Sequence, residues 1–221
     1  MKIQKTVLLT IGLILYSIVS FSQVDSTTIY FKGIENKDLN MICKLTDIQI
    51  VKVYSEDTLL RGKVFNIIIK EFKKGKIKSS IDLKITAEKQ RIPMIINGDT
   101  VIYEIDYTDK TGFGATTKSL TLTFAGLLKN DEFDLNIKYP GMNISLPLNG
   151  KSNYSLKKVN TCNLNSVRLP IDTIYPILAY TPPFDTGTEV QSYCLLGEEN
   201  VIEWYEKYKI KHYYVIYLEI K

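Results

Sequence analysis

Residues able to do chemistry are few in this chain and poorly grouped. The single histidine, His212, stands at the mouth of a final strand-like run, Tyr213–Ile220, and no Gly-x-Ser-x-Gly elbow accompanies it to supply an activated serine. The three cysteines, Cys43, Cys162 and Cys194, form no Cys-x-x-Cys pair, and with one histidine they fall short of a structural zinc set. Gly112-Phe113-Gly114 is a bare Gly-x-Gly without a third glycine or a following helix, so it reads as a turn rather than a phosphate cradle. Carboxylates are plentiful, and a facing pair would suit sugar hydrolysis. Glu104/Asp106 and Glu198/Glu199 are read by default as wet-face and helix-start residues. The catalytic alternative is therefore a carboxylate-dependent hydrolase acting on glycans. The preferred reading is non-catalytic, with no cofactor and no metal.

Two short motifs resemble known patterns. Asp185-Thr186-Gly187 resembles the active-site loop of aspartic proteases, and Leu195-Leu196-Gly197 is similar to the apolar element of that family. The resemblance implies two aspartates sharing a proton. Pro182-Pro183 stands where an apolar strand would deliver the aspartate, and only the residues up to Lys221 follow. Ordinary turn chemistry explains the motif, and the protease reading is set aside. Asp25-Ser26-Thr27, Asp57-Thr58-Leu59, Asp99-Thr100-Val101 and Asp172-Thr173-Ile174 resemble the acceptor pattern of an envelope O-glycosylation system of certain Gram-negative bacteria. That resemblance implies Thr58, Thr100 and Thr173 as acceptors.

Aromatic density is the least ordinary feature. Of 15 tyrosines, most fall after residue 150, with Trp204 and Phe184 in the same region. Trp204, Tyr205 and Tyr208 are expected to pack a helix onto a sheet. Tyr175, Tyr180, Phe184, Asp185 and Tyr193 border the Thr181–Thr188 loop, and exposed rings there would make a stacking surface for sugar or peptide. Cys162 and Cys194 are the expected disulfide, closing a loop that stabilises by roughly 3–4 kcal/mol in the chain-entropy model. Cys43, on the apolar face of Met41-Ile42-Cys43-Lys44-Leu45, is expected to be a buried, inert thiol.

The elements that must position these groups are strands. Ile81, Leu83 and Ile85 alternate with polar residues, as do Leu120, Leu122 and Phe124, and then Phe133, Leu135 and Ile137. Each pattern has one dry face, as an antiparallel sheet over a core requires. Ile67-Ile68-Ile69 and Tyr213–Ile220 are apolar on both faces, which predicts central, doubly covered strands. Asn97-Gly98 and Asn149-Gly150 predict two-residue hairpins. Lys73, Lys74, Lys76 and Lys78 surround Gly75 and predict a solvated hairpin tip. One segment, 198–209, has helical spacing in Val201, Trp204, Tyr205 and Tyr208. The fold class expected is all-β, an antiparallel β-sandwich of immunoglobulin-like or jelly-roll type with one C-terminal α-helix. Residues 23–149 form the sandwich, and 150–221 form a β-rich segment with the helix, packed on the same domain.

The first 22 residues carry an address. Lys2 and Lys5 precede the uncharged run Val7–Val19 and the small polar exit Ser20-Phe21-Ser22, the order of a secretory signal peptide. That run is shorter than the roughly 20 residues a permanent membrane helix needs. Two of the 28 basic residues belong to this leader, which leaves 26 against 24 acidic ones. A chain so near neutrality has no net pull toward nucleic acid or anionic membrane. The reading is a protein exported to the periplasm or surface of a Gram-negative bacterium. It is expected to bind an envelope protein or glycan, with no integral membrane insertion once the leader is removed.

Overall fold

The computed structural model describes residues 25–60, 63, 65–83, 89–96, 98–106, 120–139, 142–159, 165–185, 191–192 and 200–221. The expected leader segment, residues 1–22, and Cys162, Tyr193 and Cys194 lie outside them. In chain order the first half holds β1 (Ser26–Lys32), α1 (Lys37–Leu45), β2 (Gln49–Ser55), β3 (Phe65–Lys73), β4 (Lys76–Asp82), β5 (Lys89–Ile96), β6 (Asp99–Asp106), β7 (Leu120–Lys129) and β8 (Glu132–Tyr139). The second half holds β9 (Met142–Asn149), β10 (Ser155–Lys158), β11 (Ser166–Pro170), β12 (Ile174–Thr181), β13 (Phe184–Asp185), β14 (Gln191–Ser192), α2 (Trp204–Tyr208) and β15 (His212–Ile220).

Two antiparallel sheets face each other, one ordered β11-β1-β2-β7-β8-β9 and the other β10-β12-β15-β3-β4. The fold is a mostly antiparallel, sandwich-like all-β structure with a short C-terminal helix. Strands from either side of Gly150 interleave. β11 pairs with β1, and β15 lies between β12 and β3. Among the described residues, no helix is long and apolar enough to cross a membrane.

The alternation seen in the sequence becomes two cores. Ile29, Phe31, Val53, Leu122, Phe124, Phe133 and Leu135 of the first sheet meet Ile67, Ile69, Tyr180, Ile216 and Leu218 of the second. Each such side chain contributes about 1.5–3 kcal/mol by leaving water. Ile68, Phe72, Tyr213, Val215 and Tyr217 point the other way, into a second cluster with Val201, Trp204 and Ile210. This is why β3 and β15 are apolar on both faces: the C-terminal turn and helix cover the outer side of the second sheet.

Several local expectations are corrected. Residues 41–45 are not a strand. Asn36 accepts hydrogen bonds at 3.0 Å from the backbone N–H groups of Asp38 and Leu39 and so starts α1, on which Cys43 is buried. Helix 198–209 is shorter than expected. A 3₁₀ turn, Val201–Glu203, leads into α2, which ends where Lys209 adopts φ 57°. Asn149-Gly150 is no hairpin, because after β9 the chain crosses to β10 in the other sheet. The β7–β8 reversal falls instead to Asn130 (φ 49°) and Asp131 (φ 62°), the two positive values a type I′ turn needs. Asn97-Gly98 does join β5 to β6, with Gly98 at φ 91°. The tip at Gly75 is the expected hairpin, with Lys73, Lys74, Lys76 and Lys78 exposed, and its turn also touches the C-terminal segment. Lys74 N–H donates to Lys211 C=O at 2.8 Å, and a Cβ on Gly75 would lie 3.3 Å from Tyr205 Cβ.

Among the described glycines, Gly126 leaves the least room for a side chain. A Cβ there would clash with the Phe133 ring, which is fully buried and stacked on Tyr180 at 4.0 Å. Gly126→Ala must displace that stack. A urea melt is expected to show a loss of about 1–3 kcal/mol, and an unchanged midpoint would refute this packing.

Candidate functional site

Two constellations bring polar groups together. The first closes one end of the sandwich. Glu71 continues the inward row Phe65, Ile67, Ile69 of β3, a dry position for a charge, and is buried. Cross-strand pairing sets it beside Ser79 and Tyr214. Its Oε2 accepts from Ser79 Oγ at 2.8 Å, and its Oε1 accepts from Lys78 Nζ at 3.1 Å and His212 Nε2 at 3.0 Å. Burial by itself would raise the Glu71 pKa, but the three donors outweigh it and hold the carboxyl below the usual carboxylate range. On the far side of the imidazole, Nδ1 lies 3.2 Å from Tyr154 Oη, which also reaches His212 C=O at 3.1 Å.

The chemistry of this network follows from its donors. A carboxylate can only accept, so His212 Nε2 carries a hydrogen. A neutral ring then accepts from Tyr154 at Nδ1. A charged ring donates there, while the Tyr154 hydroxyl turns to the carbonyl. Both nitrogens are engaged either way, and Ser79 bonds the carboxylate rather than the imidazole. A serine-histidine-acid relay needs the ring free to face the nucleophile. This cluster instead ties β3, β4, β15 and the approach to β10 together. Among the described residues, no group of three or more His, Cys, Asp or Glu could hold a metal ion.

The second constellation is open. On the outer face of the first sheet, Tyr30 of β1 stands opposite Tyr54 of β2. Their rings stack with centroids 5.3 Å apart at 26°. Tyr30 is 40% exposed, unlike the aromatic rings of the cores. Thr28, Glu56 and Asp57 join the two tyrosines around a cleft of about 410 Å³. Ser55 Oγ donates to Thr28 C=O at 2.7 Å, fixing the β1 and β2 ends on either side. Asp57 Oδ1 accepts from the Leu59 N–H at 3.0 Å, which commits that oxygen to the turn and leaves Oδ2 and Glu56 for a ligand. The cleft combines aromatic carbon with carboxylate acceptors, a pairing suited to a neutral, hydroxyl-bearing molecule.

The aromatic residues named from the sequence lie elsewhere. Tyr180 has no exposed surface. It faces the sandwich interior between Phe133 and Tyr154, its hydroxyl has no hydrogen-bond partner, and burial pushes its pKa well up. Phe184 is buried against Tyr208 at 4.5 Å. Neither ring can serve as an exposed platform, because the C-terminal cover and the opposite sheet take both. Tyr175 is half-buried against the main core. Asp185 pairs through its backbone with Gln191, while Thr186, Gly187, Tyr193 and both expected disulfide cysteines lie outside the described residues. Thr58, Thr100 and Thr173 are exposed, and the Thr173 hydroxyl donates to Pro170 C=O at 2.9 Å.

Tyr30 and Tyr54 carried a signal that the sequence reading passed over. They are tyrosines on the wet faces of strands whose dry faces hold Ile29, Phe31 and Val53. Nothing in the chain's order says that β1 and β2 are neighbours in register, and only that pairing makes one surface of the two rings. Comparison with protein-family models, with curated proteins and with solved structures found no match to this chain.

Proposed function

We propose that this is an exported, non-catalytic binding module of a bacterial cell envelope, and that it holds a neutral glycan on the Tyr30–Tyr54 cleft. The observation that carries the reading is the stacked tyrosine pair, Tyr30 exposed and Tyr54 half-buried, beside Glu56 and Asp57. A sugar ring would lay its C–H face on the aromatic surface while its hydroxyls donate to the carboxylates. Two carboxylates, with no arginine or lysine among the described lining residues, favour neutral over anionic ligands. The cleft has room for a single pyranose, on the order of a dozen non-hydrogen atoms, judged against the roughly 150 Å³ cavity that takes benzene. Glu56 and Asp57 act here as hydroxyl acceptors. The part Asp57 plays in its own turn argues against its serving as half of an acid/base pair. Export rests on the leader's basic, apolar and small-polar order.

Titration calorimetry with a panel of neutral oligosaccharides tests this. Tyr30→Ala is expected to weaken binding by about tenfold, the worth of one well-placed aromatic contact. Its melting temperature should stay near the parent's, because the ring is largely outside the core. Binding that is identical in Tyr30→Ala, or heat from none of the panel, would remove the cleft reading.

A further inference from the structure

The outer face of the first sheet continues past the tyrosine pair, and strand register decides what lies beside it. Two residues along β1 and β2 from Tyr30 and Tyr54, Lys32 stands directly opposite Lys52. Lys52 is also opposite Thr123 of β7, Thr123 is opposite Lys138 of β8, and Lys138 is opposite Asn143 of β9. Opposite residues of an antiparallel pair share a face, so these side chains form one row across the strands. Lys32, Lys52, Lys138 and Asn143 are exposed and Thr123 is half-buried, whereas Phe31, Val53, Leu122 and Ile137 beside them in the chain point into the core. Like charges set directly opposite weaken a sheet, yet this row carries lysines and no carboxylate. Glu35 answers Lys32 from outside the row. Lys52 and Lys138 have no ion pair among the described residues.

We infer that Lys52, Thr123 and Lys138 form a seat for the carboxylate of an acidic sugar, so that the ligand is a glycan mixing neutral and acidic residues. This inference rests on the glycan reading of the tyrosine cleft and adds a second subsite to it. Lys52 and Lys138 flank Thr123 at one strand spacing on either side, which sets their backbones about 9–10 Å apart. Two lysine stems can close that gap over one carboxylate, with the Thr123 hydroxyl as a third donor beneath it. The seat lies about 7 Å along β2 from Tyr54, two residues of extended strand, so a ring joined to the one on the tyrosines reaches it. Charge also changes sign along the face. Glu56 and Asp57 lie on one side of the tyrosines and the lysine row on the other. A polymer charged on every unit, nucleic acid included, would press an anion against Glu56 and Asp57. A wholly neutral glycan would draw nothing from the lysines, and a free inorganic anion would leave the tyrosines unused. A chain with a neutral ring beside an acidic one satisfies both halves of the face.

The experiment is calorimetry of the full chain with hyaluronan and glucuronoxylan oligosaccharides, which mix neutral and acidic sugars. Each is used as the free acid and as its methyl ester, which removes the charge and keeps the ring. At about 20 mM salt at least one acid form is expected to bind about tenfold more tightly than its ester, through charge-assisted hydrogen bonds. The advantage should shrink to about twofold near 0.5 M salt as the charges are screened. Joint replacement Lys52→Gln and Lys138→Gln should bring the acid down to the ester's affinity. Ester binding should not change, and the melting temperature should not fall, because both side chains are exposed. Joint replacement Lys37→Gln and Lys44→Gln on α1 removes the same charge elsewhere and should keep the preference. Acid and ester binding equally, or a preference that survives the first pair of replacements or is lost in the second, would overturn the seat. An oligogalacturonate or a single-stranded oligodeoxynucleotide binding as tightly, with the same dependence on Lys52 and Lys138, would overturn the mixed-glycan assignment. Silence from every oligosaccharide removes the seat together with the cleft. Tyr30→Ala separates the two readings. If it leaves both forms unchanged while the lysine-dependent preference persists, the cleft reading alone falls and the seat is upheld.

Discussion

Replacing Trp204 by alanine is expected to destabilise the protein by about 3–5 kcal/mol, the range for emptying a large buried aromatic site. The indole is 1% exposed, sits 5.1 Å from the Tyr213 ring, and anchors α2 in the cluster that covers the second sheet. Its Nε1 has no hydrogen-bond partner, so the loss is one of packing and of apolar surface returned to water. The effect should spread beyond the helix. Tyr213 Oη donates to Val201 C=O at 2.5 Å, and Gly75 at the β3–β4 tip rests on Tyr205. Loosening α2 therefore uncovers Phe72, Tyr213 and Val215 together. Trp204→Phe, which retains most of the ring, should cost only about 1–2 kcal/mol. Urea melts of the three proteins decide the matter. A Trp204→Ala loss below about 1 kcal/mol would mean that the segment from Val201 to Ile210 does not cover the sheet.

Glu71 should make stability acid-sensitive through a single carboxyl. Its pKa is depressed in the folded protein relative to the unfolded chain, where a glutamate titrates near about 4.3. A group depressed in this way stabilises the fold fully above its unfolded value, and the contribution disappears as pH falls through the folded value. Glu71→Gln keeps the shape and can still accept from Ser79, but it leaves Lys78 without its counter-charge. At pH 7 the variant is expected to be less stable by about 2 kcal/mol. That is below the 3–5 kcal/mol of a fully buried broken pair, because Lys78 is half exposed and solvent supports its ammonium. The gap should narrow as pH falls below the unfolded value and close only once pH passes the lower, folded value, where the parent carboxyl is itself protonated. Thermal melts from pH 7 down to about pH 3 measure the gap. A gap that stays constant with pH would show that Glu71 acts by shape alone.

The periodic strands were legible in the sequence because a residue's place on a dry or wet face is written locally, at every second position. Ile67-Ile68-Ile69 and Tyr213–Ile220 announced double coverage for the same reason. The apolar content of a strand records how many of its faces are removed from water. The Asn97-Gly98 hairpin was legible from its backbone requirement alone. Helix α1 was missed because only the apolar face of Met41–Leu45 was read there, while the side chain that starts the helix is Asn36, upstream of it. The reversal at Asn130-Asp131 was missed because neither residue is glycine. The exposed-loop reading of Tyr180 and Phe184 failed for a different reason. A ring next to a Pro-rich loop looks open until the partner that covers it is known.

Local pattern along the chain was enough for an all-β sandwich whose central strands are covered on both sides, since face-by-face hydrophobicity is a property of single strands. Tertiary structure alone decided which polar residues meet. Glu71 lies 141 positions from His212, and Tyr30 and Tyr54 become neighbours only through the β1–β2 register. Such meetings depend on strand order and register. Those are set by how whole faces fit together, and no local pattern along the chain encodes them.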